Sequence, residues 1–487
     1  MRYYRSYDFL HQQKCSPPNY DKGFAMLRLS MALLISHAFI LNLIAADPID
    51  IGSRRELLVD NFLIDSLTGE AKQAVQQPVP KEVVLVTDKP WEGNTCAYYS
   101  IFQDGDLYRM YYRGSHYDTE TKQATHPEVT CYAESRDGLE WTKPNLGLFE
   151  FEGSKENNIV WSGIGTHCFT PFKDENPNCE SDAKYKAFAR GRPTGKKGLY
   201  VFKSPDAIHW TKMKDEPVIT EGAFDSQNLA FWDIHAKIYR GYHRDFRKVR
   251  DIKWEVSEDF LNWSDPEFLD YGDQPLEHLY TNAIQNAPRA PHILIGFPTR
   301  YLPNEGQRVE PTFMSSRDGH HFHRWYEPVI PESAPEDRDG NRSNYMTWGI
   351  LDLPSEPDSY SVYATEAYYT GPDSRVRRFV FRKDGYVAVG STGEGGMQTK
   401  PLLFAGKSLS LNYLTQPKGA VSVEVLRADG TPIPGLTSQD CDKLSGDQID
   451  GQVSWKGSAD VSKLAGTPIR LKFVLNDAQL FSFQFQE

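Results

Sequence analysis

Ser135-Arg136-Asp137-Gly138-Leu139-Glu140-Trp141 is the first of four copies of one phrase, S-x-D-x-x-x-[W/F]. The others are Ser204-Pro205-Asp206 to Trp210, Ser257-Glu258-Asp259 to Trp263, and Ser316-Arg317-Asp318-Gly319 to Phe322. Their serines lie 69, 53 and 59 residues apart. That period is too long for a solenoid turn and fits a four-stranded propeller blade with loop insertions. Locally, Asp with a turn residue reverses the chain, and the Ser and Asp side chains can hydrogen-bond the turn's own backbone. The aromatic then opens the next strand and supplies bulk between neighbouring sheets. The phrase therefore speaks for architecture and not for chemistry.

A second repeat, in a different phase, counts the blades. Tyr98 to Arg113, Cys168 to Arg190, Asn228 to Asp245, Asn282 to Arg300 and Thr347 to Glu366 each read as an apolar strand, a polar turn and a strand of alternating aromatic and aliphatic residues. Five copies predict five blades. The fifth carries Phe381-Arg382-Lys383-Asp384-Gly385-Tyr386 in place of the Ser-Asp-Trp phrase. The expected fold is all-β, a five-bladed propeller followed by a C-terminal β-sandwich. From about Gly390 aromatic density falls, and alternating runs such as Ser408 to Tyr413, Ala420 to Leu426, Ile469 to Leu475 and Leu480 to Phe485 are punctuated by Asp429-Gly430 and Pro432-Ile433-Pro434-Gly435.

With 487 residues, the chain can bury a large core and hold two domains. Its net charge of -12 argues against nucleic acid or an acidic membrane surface as partner, although a local basic pocket could override the global field. Residues 1–25 read as an over-extended start. Residues 26–46 run from Met26-Leu27-Arg28 through an apolar stretch to Ala45-Ala46, the pattern of a secretory signal peptide. The expected organisation is then a propeller over 47–390 and an accessory sandwich over 391–487, in a secreted or periplasmic protein free of the membrane after signal cleavage. A monomer or small homo-oligomer is expected. Cys168 and Cys179 flank a loop that a disulfide could close, and no C-x-x-C or H-E-x-x-H suggests zinc.

Chemistry in a propeller gathers where the innermost strands begin, at one mouth of the central channel. The residues just before those strands are Trp91-Glu92-Gly93-Asn94, Thr166-His167, Asp225-Ser226-Gln227-Asn228, Glu277-His278-Leu279-Tyr280 and Asn341-Arg342-Ser343-Asn344. Glu92, Asp225 and Glu277 are the candidate catalytic carboxylates, the kit glycoside hydrolysis needs for protonating the leaving oxygen and for attack or water activation. Asp60 is a rival to Glu92, and Glu366 could reach the channel. Asn94, His167, Asn228, His278, Arg342 and Asn344 would bind hydroxyls, and Trp91 or Tyr280 would stack on a sugar ring. No metal is required, and a calcium ion or a water on the axis is compatible with the histidines. The His320-His321-Phe322-His323 cluster reads as surface.

Five blades, acids opening blades one, three and four, a trailing sandwich and an export signal resemble the glycoside hydrolase family 32 and 43 clan of invertase-like enzymes and arabinanases. The chain is most similar to exported proteins grouped as family 32 N-terminal-like. The resemblance implies a catalytic set with Asp225 from blade three, Glu277 from blade four and a blade-one acid, Glu92, acting on an oligo- or polysaccharide. Two other readings stay open: a sialidase-like enzyme, which would need an arginine cluster for a substrate carboxylate, and a non-catalytic sugar-binding propeller.

Overall fold

The computed structural model describes residues 47–192, 197–331 and 344–487. The signal segment, the over-extended start and Arg342 lie outside the described residues. Five sheets form the expected propeller. Blade one holds Ala97–Asp104, Leu107–Gly114, Val129–Ser135 and Trp141–Thr142; blade two Phe169–Lys173, Tyr185–Gly191, Gly198–Ser204 and Thr211–Lys212. Blade three holds Leu229–Asp233, Ile238–Arg247, Val249–Ser257 and Glu267–Phe268; blade four Gln285–Ala287, Ala290–Gly296, Phe313–Ser316 and Phe322–Trp325. Blade five is assembled from both ends of the ring. Ser359–Glu366 and Arg375–Arg382 pair with each other, and Val79–Val86 from before blade one adds the outer strand. Bridges from Met346 to Ala364 and from Leu351 to Ser361 give it an inner edge.

The strands are buried on both faces because each blade packs between two others. In Leu107–Gly114, Tyr108, Met110 and Tyr112 belong to one hydrophobic cluster, shared with Leu351, Tyr363 and Val376 of blade five. Tyr111 faces the other way, into a cluster with Tyr185, Phe202 and Trp210 of blade two. Alternation along one strand therefore feeds two inter-blade cores.

The repeated Ser-Asp phrase adopts one geometry in all four copies. Ser135 Oγ accepts from Gly138 N at 2.9 Å, Asp137 Oδ1 accepts from Leu139 N and Glu140 N at 2.8 and 2.9 Å, and Trp141 Nε1 donates to Gly138 O at 3.1 Å. The residue after each Asp, whether Gly138, Ala207, Phe260 or Gly319, has positive φ. This turn also links blades. Tyr111 Oη donates to Ala207 O at 2.8 Å, Tyr242 Oη to Gly319 O at 3.0 Å, and Tyr363 Oη to Gly138 O at 2.7 Å. Between blades two and three, Phe188 packs on Phe260 instead, with ring centroids 5.4 Å apart.

The C-terminal region is strand-rich and consistent with a sandwich. Its long strands Val387–Thr399, Ser408–Arg427 and Ile469–Gln486 share one nine-stranded sheet system. Register breaks at Ser391/Glu394 and Thr415/Ala420 interrupt their pairing, as bulges that bend strands do. Ile49–Gly52, Glu56–Leu57, Ile64–Gly69 and Lys72–Val75 pair into this same sheet system. The sequence boundary at 390/391 falls inside the strand Val387–Thr399. Cys168 and Cys179 are free thiols rather than a disulfide; Cys168 is buried, where its Sγ accepts from Asn228 N at 3.2 Å.

Removing single inter-blade hydroxyls tests the turn's second role. Tyr111→Phe, Tyr242→Phe and Tyr363→Phe should each lower unfolding free energy by about 1–2 kcal/mol, most for Tyr242→Phe, because Ala207 O and Gly138 O keep a tryptophan Nε1 donor and Gly319 O does not. Lying in separate interfaces, they should add nearly fully in the triple variant. Urea unfolding midpoints are the measurement.

Candidate active site

In an antiparallel hairpin the start of the first strand and the end of the second lie at the same edge. Each blade thus brings two sets of residues to one mouth of the channel. The starts bring Tyr98, His167, Asp225 and Tyr280; the second-strand ends bring Arg113, Arg190 and Arg244. Glu128 joins them just before Val129, at the start of a third strand.

Two local features aim the key side chains. His167 sits in the short 3-10 turn Thr166–Cys168, which Gly165 enters at φ +102. A Cβ there would lie 2.6 Å from the Ala189 methyl, so only glycine lets the turn close against blade two. Asp225 follows Phe224, a fully buried residue held at φ +57, and Tyr98 sits at φ +60 in the irregular stretch between Ala97 and Ser100. Non-glycine residues reach this region at a cost of order 1–3 kcal/mol, sustained here by surrounding packing.

Asp225 Oδ1 meets His167 Nε2 at 2.9 Å, and His167 Nδ1 meets Glu128 at 3.0 and 3.1 Å. Arg113 Nη1 lies 3.4 Å from that Nδ1 and 3.5 Å from Glu128. The imidazole donates to both carboxylates only as the cation; as the neutral ring it donates to one of them, through Nε2 to Asp225 or through Nδ1 to Glu128. Arg190 and Arg244 approach Asp225 at 3.8 and 3.9 Å. The bond from His167, with further attraction from His167, Arg244 and Arg190, brings the Asp225 carboxyl down to about 2 against the opposing effect of burial. Burial works to raise the Glu128 carboxyl, but the His167 bond with the charges of His167, Arg113 and Arg190 outweighs it and leaves it lowered.

Tyr98, Tyr280, Tyr345 and Tyr368 pack around this cluster, their hydroxyls all pushed up in pKa, first by burial. A cavity of about 340 Å³ opens beside Glu128, Gly165, His167, Arg190 and Arg192. An ionised Asp at 49% side-chain exposure, linked through an imidazole to a second carboxylate, can accept a proton from a bound ligand.

The other expected site residues are placed elsewhere or serve the scaffold. Glu92 is 1% exposed, and its carboxylate is saturated by Lys143 at 2.6 Å, Tyr112 Oη at 2.5 Å and Lys89 N at 3.1 Å, so it braces blade one. Glu277 pairs with Arg300 at 3.1 Å and Arg324 at 3.4 Å. Asp60 lies in a bend rather than a strand and pairs with Arg317, while Glu366 is buried between Arg375 and Arg377. Trp91 donates to Asn158, and Asn94 clamps Tyr117 and Gly371. Asn228 ties Phe224, Ser226 and Arg244, and Asn344 donates to Thr365 O. His278 accepts Arg250 N through Nδ1, and its pKa is lowered, mainly by burial. His321 is exposed, and His320 stacks on Trp254 in the same peripheral turn.

On the axis, Gln227 donates to Tyr99 O at 2.8 Å and Trp348 Nε1 to Ile284 O at 2.9 Å. Among the described residues, no group of three or more His, Cys, Asp or Glu side chains is arranged to hold a metal ion. No helix among them is long and apolar enough to cross a membrane.

No protein-family model and no curated protein sequence matches this chain. Among solved structures, a thermostable family-43 glycoside hydrolase is similar at 13% identity and TM-score 0.44, over 65% of this chain and 96% of that one. The β-1,2-mannobiose phosphorylase of Listeria innocua is similar at 12% identity and TM-score 0.44, over 61% and 94%. An endo-arabinase from Bacteroides thetaiotaomicron is similar at 11% identity and TM-score 0.39, over 64% and 99%.

The Asp225–His167 bond has a titration signature. Carboxyl NMR should place the Asp225 midpoint at about 2, and His167→Ala should move it up toward the ordinary Asp value of about 3.9. Because the folded value is depressed, the stability Asp225 contributes is complete above about pH 4 and lost as pH falls through about 2. In His167→Ala that acid-labile contribution should shrink.

Proposed function

We propose that this chain is a carbohydrate-active enzyme that hydrolyses a glycosidic bond at the channel mouth formed by Tyr98, His167 and Asp225. The observation that carries the reading is the Asp225–His167–Glu128 chain: two carboxylates on opposite nitrogens of one imidazole, beside an open cavity and ringed by tyrosines. Asp225, ionised throughout the neutral range, activates water or attacks the anomeric carbon. The proton donor is the Glu128–His167 pair rather than Glu277, and it delivers a proton to the departing sugar oxygen. Water supplies hydroxide to the anomeric carbon and restores the proton to the pair, so the cycle closes without a cofactor. The partly exposed Tyr280 and Tyr345 offer faces for the sugar. Residues 26–46 direct export, placing the enzyme outside the cytoplasm where polysaccharide is met.

The test is hydrolysis of plant and algal polysaccharides and aryl glycosides by the chain from Asp47 onward. Asp225→Asn, His167→Gln and Glu128→Gln should each lower kcat by about 10²–10⁴-fold while the variants remain folded by circular dichroism. Glu277→Gln should leave kcat within a few-fold. Glu92→Gln should instead destabilise the fold by about 3 kcal/mol, because it breaks a buried ion pair. Loss of activity on Glu277→Gln with none on Glu128→Gln would give the donor role to Glu277 instead.

A further inference from the structure

Arg244 and Arg250 close one hairpin of blade three, Ile238–Arg247 with Val249–Ser257, which turns at Lys248. Their guanidinium carbons lie 5.1 and 6.0 Å from the Tyr280 ring centroid and 5.0 and 5.7 Å from that of Phe246. Phe246 is itself 53% exposed. Among the described residues Arg250 has no carboxylate partner, and the nearest to Arg244 is Asp225 at 3.9 Å. The Nε of each is buried without a hydrogen-bond partner, and the Arg244 side chain is only 5% exposed. This contrasts with Arg300, in the strand Thr299–Leu302 that follows blade four's second strand, which is matched by Glu277 and Glu310.

Two under-matched guanidinium groups are costly in a chain of net charge -12 unless an anion completes them. Planar forks with spare donors suit a carboxylate or sulfate oxyanion, and the exposed Phe246 ring offers an apolar face for the sugar that bears it. We propose that Arg244 and Arg250 form a subsite for an acidic sugar, a uronate or a sulfate ester, seated over Tyr280 beside Asp225. The proposal rests on the hydrolase reading above for its substrate, but the anion subsite can be tested without turnover.

The experiment is affinity electrophoresis and calorimetry of the chain from Asp47 onward with polygalacturonate, glucuronoxylan, alginate and sulfated algal galactan. Each is compared with its carboxyl-reduced or desulfated form. At least one acidic glycan should bind, its neutralised form should bind at least about tenfold more weakly, and Arg244→Gln or Arg250→Gln should cost a similar factor. Circular dichroism confirms that the variants fold. Retention of a carboxylated or of a sulfated polymer identifies which oxyanion the subsite takes. Equal binding of charged and neutralised forms, unchanged binding by both arginine variants, or binding to no acidic glycan overturns the proposal. If a neutral glycan is hydrolysed and only Asp225→Asn stops it, the subsite fails and the hydrolase stands. Arginine-dependent binding with no turnover of any glycan leaves the subsite and removes the hydrolase.

Discussion

The structure depends on closing a ring of blades. A propeller left open would expose a sheet edge and an unpartnered aromatic face at each end. Here the closing strand is Val79–Val86, which pairs antiparallel with Arg375–Arg382 almost three hundred residues later. Thr87 secures the join: its Oγ1 accepts from Ser374 N at 2.9 Å and lies 2.8 Å from both Gly93 O and Ser374 O, donating its one proton to either. The chain before the closing strand enters the C-terminal sheet system, and Arg55 and Arg289 converge on the buried Asp384 and on Asp450. Both ends of the described chain are thus bound into structure made by the other, and the channel mouth inherits that rigidity from all five blades.

Antiparallel geometry then explains the mouth's charge. A residue that opens a first strand and one that closes the second are neighbours in space, although about fifteen or more residues separate them in sequence. Arg113, Arg190 and Arg300 end the second half of their repeats, and Arg244 stands one residue before the end of its own. Three of the four gather around Asp225, His167 and Glu128, giving a basic, tyrosine-lined mouth to an acidic protein. The fourth is neutralised by Glu277 and Glu310.

The fold was legible because its signals are local. The Ser-Asp turn is held by bonds spanning two or three residues, so the phrase carries its geometry wherever it occurs. Asp225 and His167 were legible too, since both precede first strands. The arginines were visible as the last letters of the second repeat, but reading only strand starts passed over them. Glu128 follows a loop of its own and had no periodic marker. Glu92 and Glu277 looked equivalent to Asp225 because sequence position does not reveal a partner such as Lys143, 51 residues from Glu92. The outer strand of blade five escaped for the same reason: its hydrogen bonds lie at the far end of the ring.

What separates the acids is how reversibly each is partnered. Glu92 is enclosed by an ammonium, a tyrosine hydroxyl and a backbone amide, and Glu366 by two guanidinium groups at 2.8 Å. Arginine stays charged throughout the range in which proteins fold, so such pairs are fixed. Glu277 belongs with them. Asp225 is held closely only by an imidazole at 2.9 Å, while its arginines stand off at 3.8 and 3.9 Å. A carboxylate in that position keeps its charge at rest, and the imidazole links it to Glu128. The same spacing leaves the arginines with donors to spare. The proposed proton transfer and the proposed anion capture would therefore share one origin, a carboxylate that does not fully satisfy the cations around it.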